Sequence, residues 1–470
     1  MNLKNRLSAL FLLLGTSSVF AQHQPQVQLS AVQLETGKAQ PVYELSPEVT
    51  TNKRHWNNYM YIQPDVTFQT IEVIGVAFNV IGGEALLSLK KKEQKAVMEN
   101  LFAKDQAGFT FCRTAIGASD FGIDAYSYSM TPEDYDMKHF SIKRDEKYVL
   151  PYIKSAFDIN PDLTMFASPW SPPGWMKVSG KMEGLQKEGN ALRDTPAIYK
   201  AYAKYFVKYI HAYEKEGVRV DRICIQNEND ADTKYPSCQF PAKDMVKFAH
   251  DYLAPAFKKN KIKSGIYAGT FRAANQMDLM DFTQSKHLEA VEGVGIQYTE
   301  SKIISDARAV LPGLKIFHTE GHCYNGKNSS EQAKHRLQEV AGYLNSGSTS
   351  FTYWNMILNE TTKSGWDWNQ NSLININRTT GEVQYNPDYN AMYIISKYIK
   401  PGDVRVASVN RANQHPLITV KSPDGQVKVL IQNTHEQEEV FTFVMGDQEI
   451  KVQLPAQAIS AIVINPAKNL

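Results

Sequence analysis

From residue 73 onward the chain alternates short β-rich runs with helical patterns, eight times in succession. This constrains the fold more than any single motif, because strands separated by helices of that length pair in parallel through crossovers. The strand candidates are Val73–Phe78, Phe109–Ile116, Leu163–Ser168, Arg222–Asn227, Ser264–Gly269, Val294–Tyr298, Lys315–Thr319 and Ser350–Trp354. The clearest helix opens at Thr195-Pro196, a cap followed by a first-turn proline. It aligns Ile198, Tyr202, Phe206, Tyr209 and Tyr213 on one face and stops at Gly217. A second is expected from Ser330, with Ala333, Leu337, Val340 and Leu344 on one face, ending near Gly347. Eight such units closing on themselves give an α/β fold, a (β/α)8 or TIM barrel, over residues 73–400. An open doubly wound sheet would call for a Gly-rich phosphate turn after an early strand, and none is present.

The pattern changes after Pro401-Gly402. The runs Leu417–Lys421, Gln426–Gln432, Val440–Met445 and Glu449–Leu454 are short and rich in Val and Ile, and Ser422-Pro423-Asp424-Gly425 is a hairpin turn signal. Residues 401–470 are therefore expected to form an appended antiparallel β-sandwich, to which residues 22–72 contribute strands. A chain of 470 residues is too long for one ordinary core, which fits this division.

Residues 1–21 read as a secretory signal peptide. Lys4 and Arg6 precede a short apolar stretch, and Val19-Phe20-Ala21 supplies small residues before a cleavage point at Gln22. The protein is expected to be exported, periplasmic or secreted, without a stable membrane anchor, since no stretch is long and apolar enough to span a bilayer. The formal charge is +2. Both extra positives lie in that leader, so the remainder has no net positive field and nucleic-acid binding by charge is excluded. The four cysteines, Cys112, Cys224, Cys238 and Cys323, are too few for a disulfide framework. Cys112 and Cys224 sit in strand-like runs and read as small buried hydrophobes. No CxxC spacing is present, and no metal is expected.

Barrel chemistry gathers at the carboxyl ends of the strands. Two of those ends carry a glutamate, Glu228 after strand four and Glu320 after strand seven. A carboxylate pair over one pocket is what glycoside hydrolysis needs, one group protonating the leaving oxygen and the other attacking the anomeric carbon. Either glutamate alone would read as a solvated loop-end charge; the matching positions favour the functional reading. Trp170 and Trp175 lie in a Pro-stiffened loop after strand three, and Trp354, Trp366 and Trp368 lie at or beyond the end of strand eight. Aromatic faces of this kind stack on the apolar face of a pyranose.

Several segments together resemble glycoside hydrolase family 30, the glucosylceramidase family. They are Asn227-Glu228, Thr319-Glu320, the run Ala167-Ser168-Pro169-Trp170-Ser171-Pro172-Pro173-Gly174-Trp175-Met176-Lys177, and Arg113 through Ser119-Asp120-Phe121 with Tyr126-Ser127-Tyr128. The resemblance runs from about Gly75 to Ile399 and extends to the family's side β domain. It implies a retaining β-glycosidase with Glu228 as acid/base and Glu320 as nucleophile. It further implies that Asn227 holds the 2-hydroxyl, that Arg113 orients carboxylates at the floor, and that Asp120 and Trp170 bind the far hydroxyls. Trp354 would floor the pocket, Asn371 would line it, and Gln297 and Tyr298 would contribute from strand six. The chain departs from the family at Asn229, where proline is usual, and at His322. It departs again at Gln297-Tyr298-Thr299, where Thr299 stands in place of a tyrosine that often contacts the nucleophile, unless Tyr298 substitutes.

The expected partner is a β-linked glycan or glycoside, with β-glucosidic bonds of the glucosylceramide or β-1,6-glucan kind foremost. A β-xylosidase, β-fucosidase or β-galactosidase of the same family is the alternative. A non-catalytic carbohydrate-binding protein would be favoured by loss of a carboxylate, and both are present. A phosphate-dependent barrel enzyme lacks its Gly-rich cradle. No cofactor is expected, since two carboxylates suffice for this chemistry. Oligomeric state is left open.

Overall fold

The computed structural model describes residues 26–37, 43–45, 58–185, 189–272, 276–410 and 415–465; the expected signal segment lies outside them. Three strands precede the barrel: β1 (Val27–Val32), β2 (Tyr43–Leu45) and β3 (Tyr59–Thr70). Eight parallel strands then form a second sheet, which is the barrel. They are β4 (Val73–Ala77), β5 (Phe111–Ala115), β6 (Thr164–Ser168), β7 (Arg222–Cys224), β8 (Gly265–Phe271), β9 (Gly293–Gln297), β10 (Lys315–Glu320) and β11 (Ser350–Asn355). They follow chain order around the sheet, and β11 pairs back onto β4.

The barrel closes between β10 and β11 by mixed bonding. Thr349 N–H reaches Ile316 O at 2.9 Å, and Gly321 N–H reaches Thr352 O at 2.7 Å. Between them side chains replace ladder bonds: His318 N–H donates to Ser350 Oγ at 3.0 Å, and Thr352 N–H donates to His318 Nδ1 at 3.1 Å. Burial pushes the His318 imidazole down to a pKa of about 3, so it stays neutral and keeps that acceptor.

The amino end of the barrel is plugged. Phe111, Phe166, Tyr267 and Phe317 form a buried cluster with Val73 and Cys224, and the Arg222 guanidinium lies over three of those rings while pairing with Glu72 at 2.6 Å. The carboxyl mouth is where barrel chemistry gathers. Register shifts fall at that mouth, between His318 and Glu320 and between Tyr353 and Asn355. Such bulges re-aim side chains next to a site.

The helix after Thr195 spans Pro196–Lys215, and Thr195 Oγ1 accepts from Ile198 N–H at 3.3 Å. Gly217 takes φ 79° beyond its end, as a helix-terminating glycine does. The expected helix from Ser330 to Gly347 is instead broken into Ser330–Ala333 and Arg336–Ser346. Arg336 opens the second piece with its guanidinium fully buried against Asp388 and Glu339, and Ala333, Leu337, Val340 and Leu344 stay buried across the break. Strand four is likewise shorter than the sequence suggests. After Cys224 the regular ladder ends, although Ile225 N–H and Gln226 N–H still reach Tyr267 O and Gly269 O on β8, and Asn227 N–H turns to Pro169 O at 2.8 Å.

Within the loops after β11, strands β12 (Ile357–Asn359), β13 (Ile374–Ile376) and β14 (Val383–Tyr385) make a small sheet. The appended domain adds β15 (Val404–Asn410), β16 (Leu417–Lys421), β17 (Val427–Gln432), β18 (Glu439–Met445), β19 (Gln448–Leu454) and β20 (Ile459–Ile464). With β1–β3 they form a nine-stranded sheet in the order β19-β18-β3-β15-β16-β17-β20-β1-β2. Leu29 near one end and Ile450 and Val452 at the other share a single core with Val429, Ile431 and Ile462, so the sheet rolls onto itself. Its pairing is antiparallel except where β3 runs parallel to β18.

Candidate active site

The two glutamates are brought to one cavity at the carboxyl mouth, about 360 Å³ in volume, which is within the usual size of small-molecule sites. Glu320 ends β10. Glu228 follows the turn out of β7 with a left-handed φ of 43°, uncommon for a residue with a side chain and held by a Glu228 N–H to Thr270 Oγ1 bond of 3.1 Å.

Gln297 at the end of β9 joins them. Its Nε2 lies 3.4 Å from Glu228 Oε1 and 3.3 Å from Glu320 Oε2, so those oxygens are no more than about 7 Å apart, within the span of catalytic carboxylate pairs. Its Oε1 accepts from Thr319 Oγ1 at 2.8 Å, which fixes the amide orientation. Arg113, fully buried, donates to Glu320, to Thr319 O at 3.2 Å, to Ser168 Oγ at 3.0 Å and to Asn227 Oδ1 at 2.5 Å. Asn227 Oδ1 therefore receives Arg113, together with Thr270 Oγ1 and Gln297 Nε2 at longer range, which leaves its Nδ2 for a ligand.

The charges are graded by environment. Burial raises the Glu228 carboxyl to about 7; Arg272, with Nη1 3.3 Å away, opposes the rise, and Glu320 adds to it. Arg272 is itself steered by Asp230 at 2.6 Å. Asp120 is raised well above the ordinary carboxylate range, first by burial and then by Glu320 and Glu228, with Arg113 opposing. Its Oδ1 and Trp354 Nε1 are both buried, and the Trp354 indole N–H faces the Asp120 carboxyl and weakly opposes the rise.

Trp170 lines the cavity and stacks on Trp354 at 5.0 Å; Arg113 lies over both rings. Trp354 is fully buried and forms the layer beneath. Tyr298 donates its hydroxyl to Glu320 Oε1 at 2.7 Å, so it does contact the second glutamate. Thr299 instead turns its hydroxyl onto Gln297 O at 3.0 Å. Asn229 donates its backbone N–H to Thr270 O at 3.4 Å, which a proline could not do, and its amide to Asp278.

Asn371 is a correction. It does not line the cavity but is fully buried, with its amide on Gln332 Oε1 at 2.9 Å and its Oδ1 on Asn328 N–H at 3.1 Å. Gln370, one position earlier, faces the cavity instead. Sequence reasoning also missed Tyr235, Arg272, Cys323 and Tyr324. Of these only Arg272 had a usable signal, as a charged residue just past a barrel strand. Burial pushes the Cys323 thiol up to about 12, which keeps it protonated. Among the described residues, one group has atoms close enough to hold a cation, His250, His287 and Glu289 on the outer surface, and none of them lines the cavity.

A closed (β/α)8 barrel with two converging glutamates over an aromatic-walled cavity defines a glycoside hydrolase. The chain belongs to glycosyl hydrolase family 30, whose TIM-barrel domain matches residues 71–399. It is 28% identical over 421 residues to putative glucosylceramidase 3 of Caenorhabditis elegans, covering 84% of this chain and 80% of that protein. It is 24% identical over 386 residues to an endo-1,6-β-D-glucanase of Neurospora crassa, covering 78% of this chain and 79% of that protein. The endo-β1,6-glucanase BT3312 has the same fold, with a TM-score of 0.81 at 21% identity, covering 94% of this chain and 100% of that one. The protein is a β-glycosidase.

Proposed function

We propose that this protein is an exported retaining β-glycosidase that hydrolyses β-glucosidic bonds by double displacement. The observation that carries the reading is the contrast between the two glutamates. Glu228, lifted to about 7, is suited to hold a proton near neutral pH and donate it to the leaving oxygen. Glu320 accepts from Arg113 and Tyr298, which hold its two oxygens for attack on the anomeric carbon. Once the aglycone leaves, Glu228 is the base that activates water, and a group titrating near 7 serves both directions.

Asn227 Nδ2 is positioned to hold the 2-hydroxyl, since its oxygen is already engaged. Asp120 and Trp170 are suited to the far edge of the sugar. The glucosyl preference is supported by the relatives' own names, glucosylceramidases and endo-1,6-β-D-glucanases. Export is supported by the charged and apolar pattern of residues 1–21.

The test is hydrolysis of aryl β-glucoside, β-xyloside, β-fucoside and β-galactoside beside β-1,6-glucan and glucosylceramide. NMR of the first-formed anomer is read in the same runs. Preference for a glucosyl substrate with retention supports the reading; outright preference for the xyloside, or inversion, overturns it.

A further inference from the structure

Tyr298 and His322 meet beside Glu320, His322 standing two residues beyond it. Tyr298 makes its contact with Glu320 Oε1 from a left-handed φ of 51°. A residue in that conformation needs surroundings that hold it.

The His322 ring packs against the Tyr298 ring, centroids 4.5 Å apart at 58°. His322 is about half exposed, yet it is fastened at three points. Its N–H donates to Glu339 Oε1 at 3.0 Å, and its Nδ1 lies 2.8 Å from the same oxygen. Its carbonyl accepts from Arg336 Nη2 at 2.7 Å. Glu339 accepts from Arg336, and Arg336 is bonded in turn to Asp388 at 3.1 Å. Burial alone would raise the Glu339 carboxyl, but Arg336 and then His322 hold it down at about 2, so it stays an anion and an acceptor. A carboxylate at Nδ1 requires the ring proton there, which fixes the tautomer and the orientation.

We propose that His322 is a positioning residue, which braces the Tyr298 ring so that the Tyr298 hydroxyl stays on Glu320, and that Arg336 and Glu339 exist in this arrangement to fix that brace. The inference rests on the reading of Glu320 as the nucleophile.

The experiment is a double-mutant cycle on an aryl β-glucoside with Tyr298→Phe, His322→Ala and the pair, alongside Glu320→Gln. His322→Ala is expected to lower kcat by about tenfold with KM little changed, because a loosened nucleophile contact is felt in the transition state. In the Tyr298→Phe background the same substitution is expected to cost less than about twofold, since the hydroxyl it served is gone. His322→Phe, which keeps a ring against Tyr298, is expected to recover most of the loss, and it replaces His322→Ala in the cycle should that variant not fold. Fully additive losses overturn the brace, as does a raised KM with unchanged kcat, the signature of direct substrate contact. An inactive Glu320→Gln with additive losses removes the brace alone; an active Glu320→Gln removes the nucleophile reading and the proposal with it.

Discussion

Replacing Arg272 by methionine should move the alkaline limb of the pH–rate profile upward. Arg272 Nη1 lies 3.3 Å from Glu228 Oε2. A charge pair at that distance is worth about 5 kcal/mol at an effective dielectric constant of about 20, and about 1 kcal/mol in bulk water. The Arg272 side chain is 25% exposed and shares its charge with Asp230, so the lower half of that range applies, about 1.4–2.8 kcal/mol. That corresponds to about one to two pKa units. Removing the guanidinium also leaves Asp230 unpaired beside Glu228, which acts in the same direction. The first step needs Glu228 protonated, so the rate falls as pH rises through its pKa. The limb should lie near 7 in the parent enzyme and one to two units higher in the variant. The assay is kcat/KM against pH with an alkyl β-glucoside, whose poor leaving group makes proton donation limiting. A limb that stays in place, or moves down, would refute the electrostatic assignment of Arg272.

The two glutamates should fail differently. Glu320→Gln should abolish turnover of every glycoside, whereas Glu228→Gln should still be glycosylated by an aryl glycoside with a good leaving group and then stall, as a burst in stopped-flow would record. Asp120→Ala should cut kcat/KM on β-glucosides by about ten- to a hundredfold and affect β-xylosides less, because xylose lacks the 6-hydroxymethyl group; equal losses on both would mean that Asp120 only supports its turn. His318→Leu removes the acceptor for Thr352 N–H at the β10–β11 seam and should cost about 1–3 kcal/mol in denaturant unfolding; an unchanged midpoint would show the seam does not depend on it.

The barrel was legible because its strands are short, apolar and evenly spaced, and each of the eight runs corresponds to an observed strand. Boundaries blurred at the carboxyl ends, where β7 leaves the ladder to carry Glu228 and where β10 and β11 bulge. The appended domain was harder to read. β20 is buried along its whole length and so shows no alternation. β3 contains Pro64, which reads as a break, and it pairs with β15 through register shifts. Within the site, Glu228 and Glu320 were found from their position at strand ends, whereas Arg113 and Gln297 were reached only through the family resemblance. Tyr235 and Gln370 come from long loops, and their facing cannot be read from a pattern. Asn371 shows how little separates the two outcomes: a shift of one residue in an extended segment turns a side chain to the other face, and Gln370 takes the cavity. Tyr298 is the complementary case, where a left-handed backbone lets a neighbour do what the usual position does not.

The central claim is that Glu320 forms a covalent bond to the sugar. Incubation with 2-deoxy-2-fluoro-β-glucosyl fluoride, followed by peptide mass mapping, tests it directly, since the fluorine slows both steps while the fluoride leaves readily. A single fluoroglucosyl adduct on the peptide containing Glu320, absent in Glu320→Gln, is the expected result. An adduct on any other residue, or steady turnover of the reagent with inverted product and no adduct, would contradict the account.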